Sequence, residues 1–217
     1  GQPGYDDIRA AFDSGWSVVT AEKGALVVGY RKLHEMAAAG GLGFGLSGAT
    51  AAALPTIDVA RISIAGAKIE SIQGILNGTS NYLLTRMSEG LDYAESLRDA
   101  QSKGIAEPDP SYDVNGWDTA AKILILANAC LNTDYSMSDV LVKGIADIEP
   151  SFLQEKRREG NSVKLMATAS PRRRGPGWRL EVMPSVIDSS HPLFHVDGTE
   201  KGITFYTDSM GAITVTC

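Results

Sequence analysis

The stretch DDIRAAFDSGWSVVTAEKG, Asp6 to Gly24, decides the fold class of the first part of the chain. Its opening decapeptide has apolar residues at helical spacing, with Ile8 and Phe12 on one side, and ends on Gly15, so it predicts an amphipathic helix. WSVVTA then predicts a short buried strand, and AEKG, Ala21 to Gly24, the loop that follows it. KLHEMAAAGG, Lys32 to Gly41, predicts a second helix closed by glycines. An α-β-α order with short connections builds a parallel, doubly wound sheet, whose ligands sit at the C-terminal ends of the strands.

Beyond Thr56 the pattern changes. VARISIAG and AKIESIQGIL are rich in β-branched residues and predict antiparallel strands packed on one face. NYLLTRMSEG and DYAESLRDAQSKG predict helices, each ended by glycine. EPDPSYDVNG cannot be helical through Pro108 and Pro110 and predicts an irregular loop that gathers acidic side chains. WDTAAKILILANACL predicts a strongly apolar helix, and Val163 to Val215 a series of strands separated by turns. The expectation is an α/β segment, residues 1–50, followed by an α+β domain, residues 51–217.

Composition narrows the function. The 217 residues are 43% hydrophobic and 21% charged, enough apolar content for a real core. The formal net charge of −6 disfavours a nucleic-acid partner, because binding a phosphate backbone needs clustered Lys and Arg. The one basic run, Arg172 to Arg174, sits among turn formers and predicts a solvated hairpin tip. No apolar run is long enough to span a membrane and no secretory signal opens the chain, so the expected location is the cytoplasm. The two cysteines, Cys130 and Cys217, belong to no metal-ligand cluster and fit a reducing compartment.

Gly104 to Lys122, GIAEPDPSYDVNGWDTAAK, is where chemistry concentrates. Glu107, Asp109, Asp113 and Asp118 crowd a loop and a helix start, with Lys122 four residues after Asp118 on the same helix face. By itself that spacing fits either an ordinary surface ion pair or a carboxylate that orients a working ammonium. The apolar ILILA after Lys122 favours partial desolvation, which lowers an ammonium pKa toward values useful for proton transfer.

ILNGTSNYLLTRM (Ile75 to Met87), Gly104 to Lys122, HPLFHV with GTEKGITFYTDSMGAITV (His191 to Val215) and VVTAEKG (Val18 to Gly24) together resemble the homoserine dehydrogenase family, in the family's order. The resemblance implies a remnant of a Rossmann cofactor domain joined to a mixed or antiparallel-sheet domain that binds substrate and dimerises. It implies interconversion of L-homoserine and L-aspartate 4-semialdehyde with NAD or NADP, a step of threonine and methionine biosynthesis. By the same resemblance Lys122 is the proton donor and acceptor, with Lys23 a second catalytic lysine close to cofactor and substrate. Glu107, Asp118, Asp113, Thr79 and Gly78 are implied as substrate-binding positions, and Ala21, Lys23 and Gly104 as cofactor-binding ones.

The chain departs from the family at three places. Glu22 stands where the family has Asn, adding a negative charge near the cofactor, and Ile105 stands where many members have Tyr. In the family's monovalent-cation loop Ser47 takes the position of an acid, leaving the backbone carbonyls of Thr50, Ala52 and Leu54 as candidate ligands for Na+ or K+. No glycine-rich turn follows a first strand, and the family's Gly-Ala-Gly element falls beyond Cys217. The expectation is therefore a truncated chain that binds cofactor poorly and is inactive alone. The alternatives are a paralogous dehydrogenase for another small amino alcohol and a non-catalytic dimerisation or regulatory module.

Overall fold

The computed structural model describes all 217 residues, Gly1–Cys217. The chain opens with helix α1 (Gln2–Asp13), whose Tyr5, Ile8 and Phe12 pack on Ala25, Leu33 and Ala37 of α2 (Lys23–Ala39). Between them lies strand β1 (Val18–Val19), paired in parallel with β2 (Phe44–Gly45). This is the expected α-β-α unit, with two differences. The strand is not buried: Val19 is 91% and Trp16 70% exposed, because only one neighbour strand covers β1. Nor is AEKG wholly a loop, since Lys23 and Gly24 form the first turn of α2 and Glu22 is its N-cap.

The segment after β2 is a string of short helical turns, α3 (Gly48–Ala51), α4 (Thr56–Asp58) and a π-helical turn at Val59–Ser63. VARISIAG is therefore not a strand. In the π turn Val59 and Ile64, five residues apart, point into the core while Ile62 is exposed. Burial on the helices outweighs the β-propensity of these residues.

The rest of the chain is a six-stranded sheet with helices on one face. Its strands are β3 (Ile69–Ile75), β4 (Val140–Val142), β5 (Ser162–Pro171), β6 (Trp178–Ile187), β7 (Gly202–Thr207) and β8 (Gly211–Thr216), in the order β4-β6-β5-β3-β7-β8. Only the β4–β6 pair is parallel. The helices are α5 (Gly78–Ser88), α6 (Tyr93–Ser102), α7 (Ser111–Val114), α8 (Trp117–Cys130) and α9 (Pro150–Arg158). Of these, α7 is a turn inside the acidic segment that the two prolines predicted to be irregular. Helix α6 begins with a capping box, Asp92 and Glu95 answering each other's backbone N–H, worth about 1 kcal/mol. The apolar α8 runs through the centre of the main core, with Ile123, Leu124, Ile125 and Leu126 all fully buried against Leu165, Ala167, Val182 and Phe205 of the sheet. Leu26 and Tyr30 of α2 enter the same core, which brings the start of α2 up to the start of α8. The basic run Arg172 to Arg174 lies at the exposed tip of the β5–β6 hairpin, as expected.

Candidate active site

The site is built where β3 ends. Leu76, fully buried, leaves its backbone carbonyl facing α8, and Asn77 then caps α5. The Asn77 backbone is extended, as an N-cap must be, and its side-chain oxygen accepts the Ser80 N–H at 2.8 Å. That leaves the amide nitrogen free to donate twice, to Asp113 Oδ1 at 2.7 Å and to Asp118 Oδ2 at 2.8 Å. One asparagine thus holds two of the acids in place.

Asp118 lies in the first turn of α8, where the positive end of the helix dipole favours a carboxylate. Lys122, one turn later, donates to Asp118 Oδ2 at 2.6 Å and to the Leu76 carbonyl at 2.7 Å. The other carboxylate oxygen, Oδ1, is 2.8 Å from the ammonium of Lys23, on the first turn of α2. The Lys122 and Asp118 side chains are 13% and 6% exposed, and Lys23 36%, so Lys23 forms the open side of the cluster.

These contacts drive the two lysines apart electrostatically. Burial pulls the Lys122 pKa down, and the opposing pull of Asp118 does not restore it, so the net shift is downward from 10.5. Burial also acts on Lys23, but its hydrogen bond to Asp118 and the charges of Asp118, Tyr112 and Asp113 outweigh it, and the net shift is upward. Burial pushes the Asp118 carboxyl up, and Lys122, Lys23 and Asn77 together bring it below its ordinary value. One carboxylate thus holds two lysines whose environments push their pKa values in opposite directions.

Thr79 donates its hydroxyl to the Ile105 carbonyl at 3.1 Å, tying α5 to the turn after α6. Gly104 makes that turn at φ +69°, and the space where its Cβ would stand is empty. Gly78 begins α5 with the Thr199 carbonyl 3.0 Å from where a Cβ would be. Glu107 is exposed and its carboxylate has no partner in the chain. Both lysines pair with Asp118, and Asp113 and Asp109 accept only uncharged donors, from Asn77 and the Ser111 N–H, so Glu107 and Asp109 are the exposed carboxylates of the acidic segment without a cation.

Ala21 is exposed at the end of β1. Glu22 turns back to accept the Ala25 N–H and so caps α2. In the loop before α4, Ala52 adopts φ +53°, the Leu54 carbonyl accepts the Thr56 N–H at 2.8 Å, and the Ser47 hydroxyl is buried without a partner. Asn77 and the Leu76 carbonyl are the members that the sequence reading missed. Asn77 lay within a quoted motif, but an N-cap position gives no sign of a second bond to residues thirty-six and forty-one further on.

Comparison with known proteins bears on this arrangement. A family described as homoserine dehydrogenase matches residues 55–216. A homoserine dehydrogenase of Methanocaldococcus jannaschii is 41% identical over 96% of this chain and 60% of its own length. An NAD(+)-dependent homoserine dehydrogenase of Pseudomonas canavaninivorans is 34% identical over 99% of this chain and 61% of its own. The crystal structure of a homoserine dehydrogenase from Thiobacillus denitrificans superposes with a TM-score of 0.92 at 28% identity, covering 99% of this chain and 50% of that one. The chain therefore spans about 60% of the length of the curated relatives it matches.

Proposed function

The chain belongs to the homoserine dehydrogenase family, and on that premise we propose that it carries the substrate half of an enzyme interconverting L-homoserine and L-aspartate 4-semialdehyde. The carrying observation is the buried Lys122 ammonium, held between Asp118 and the Leu76 carbonyl with Lys23 on the far carboxylate oxygen.

A nicotinamide cofactor, when bound, supplies or removes the hydride. The residues that fit its ring end are Ala21 and Lys23 at the C-terminal end of a parallel strand, and Gly104, whose empty Cβ position leaves room for a flat group. The alkoxide left by reduction of the aldehyde takes a proton from Lys122, and in the reverse direction Lys122 takes the proton of the homoserine hydroxyl. Asp118 has both oxygens occupied by lysines and Asn77, so its part is to place those lysines. The substrate ammonium is assigned to Glu107, exposed and without a cation of its own, and Thr79, Gly78 and Asp113 to the border of the substrate. A monovalent cation, Na+ or K+, fits only as a weakly held ion: Thr50, Ala52 and Leu54 offer neutral carbonyls, and the unpartnered Ser47 hydroxyl is no substitute for an anionic ligand. No helix is long and apolar enough to cross a membrane.

The test compares L-homoserine with 4-hydroxybutyrate, which lacks the amine, as substrates of the full-length protein. The expected result is a strong preference for homoserine that shrinks by about tenfold to a hundredfold in Glu107→Gln, the loss of one charge-assisted hydrogen bond. Equal turnover of the two substrates by the unaltered protein defeats this reading.

A further inference from the structure

An active site that presents two lysines to an aldehyde runs a chemical risk. A neutral lysine amine condenses with an aldehyde to give an imine and one molecule of water. The nitrogen lone pair forms the new bond to the carbonyl carbon, and the carbonyl oxygen leaves as water carrying the two amine hydrogens. An ammonium has no lone pair and cannot do this. Resting on the functional reading above, we propose that Asp118 keeps Lys122 and Lys23 protonated while an aldehyde is bound, and so prevents both lysines from being consumed as imines.

The proton bookkeeping of the reaction already points this way. During reduction Lys122 gives up its proton only as the aldehyde becomes an alcohol, so the neutral amine faces the alcohol. During oxidation Lys122 has gained its proton by the time the aldehyde exists. The aldehyde therefore meets a neutral amine only if the ammonium loses a proton to solvent, which is the direction burial favours at Lys122.

The groups around Lys122 are few. Asp118 comes from its own helix, Asp113 from α7, Lys23 from α2, and the uncharged Leu76 carbonyl from the residue after β3. Lys23 acts against the ammonium. Asp113 favours it, but one of its oxygens is engaged by Asn77. Asp118 is the one carboxylate in direct contact, at 2.6 Å from Lys122 and 2.8 Å from Lys23, so a single side chain guards both amines.

The experiment is reductive trapping. Aspartate 4-semialdehyde and sodium borohydride are added near neutral pH to the full-length protein and to its Asp118→Asn variant. Borohydride adds hydride to any carbon–nitrogen double bond, leaving a stable secondary amine that peptide mass spectrometry locates. Removing an adjacent opposite charge lowers an ammonium pKa by about one to three units, so the neutral fraction rises roughly tenfold to a thousandfold. The expected result is labelling at Lys122 and Lys23 in Asp118→Asn, while the unaltered protein is labelled there no more than at the exposed Lys32 and Lys68.

Labelling of Lys122 above Lys32 in the unaltered protein overturns the proposal, and this arm stands even if Asp118→Asn does not fold. So does an Asp118→Asn variant that folds, binds the aldehyde by calorimetric titration and stays unlabelled. If neither protein binds the aldehyde, the functional reading fails and this proposal falls with it. The titration separates that case from the others.

Discussion

Two lysines are largely withdrawn from solvent, Lys122 on α8 and Lys164 on β5, and burial pulls both below the ordinary lysine value. Lys164 is the more deeply placed, its side chain 2% exposed against 13%. It donates to the Val196 carbonyl at 2.5 Å and to Asp197 at 2.6 Å, and Asn81 reaches the same Val196 carbonyl from α5. Yet the two settings differ in kind. Asp197 is 59% exposed and serves one lysine, whereas Asp118 is 6% exposed and is shared by two lysines and an asparagine. Lys164 fastens a connection between strands to the inner face of α5. Lys122 sits in a four-charge cluster with an open side. A displaced pKa alone therefore does not mark a site here; the shared, desolvated carboxylate does.

The sharpest way to break the comparison is to remove each ammonium. In the full-length protein Lys122→Met is expected to lower kcat by about a hundredfold to ten-thousandfold, the usual worth of a placed proton donor, with homoserine binding largely kept. Steady-state kinetics and a binding titration check this together. Lys164→Met is expected to cost about 1.5–3 kcal/mol in denaturant unfolding, because hydrogen bonds from a charged group are lost while Asp197 rehydrates, and to leave the turnover of the folded protein alone. A variant pair in which Lys164→Met matched the catalytic loss would erase the distinction.

A smaller effect sharpens it. With Lys122 as the proposed proton acceptor, oxidation of homoserine is expected to speed up with pH toward a midpoint below 10.5, while reduction slows over the same interval. Removing the Asp118 charge moves both profiles to lower pH, and Lys164→Met moves neither. Profiles recorded in both directions for the three proteins decide it.

Much of this was legible in the sequence. Helices α5 and α6 follow from apolar segments closed by glycine, α8 from its apolar run and the strands from β5 onward from strand-like runs separated by turns, and the i,i+4 spacing put Asp118 and Lys122 on one face. Three things were hidden because they depend on partners far along the chain. Val19 belongs to a strand by composition, but its exposure depends on how many strands lie beside it. VARISIAG has strand propensity, and only the five-residue spacing of Val59 and Ile64 against the helices makes it a π turn. The bond from Lys23 to Asp118 joins residues with no local pattern in common, and without it the Asp118–Lys122 pair is indistinguishable from an ordinary helix-surface pair.

The most direct test of the central claim is to follow the lysine side chains by NMR, with carbon-13-labelled lysine assigned by single substitutions, while L-homoserine is added to the full-length protein. The account predicts that the Lys122 and Lys23 side-chain signals shift on binding while that of Lys164 stays in place. Signals of Lys122 and Lys23 that do not respond to saturating homoserine, or a Lys164 signal that moves as far as theirs, contradict it.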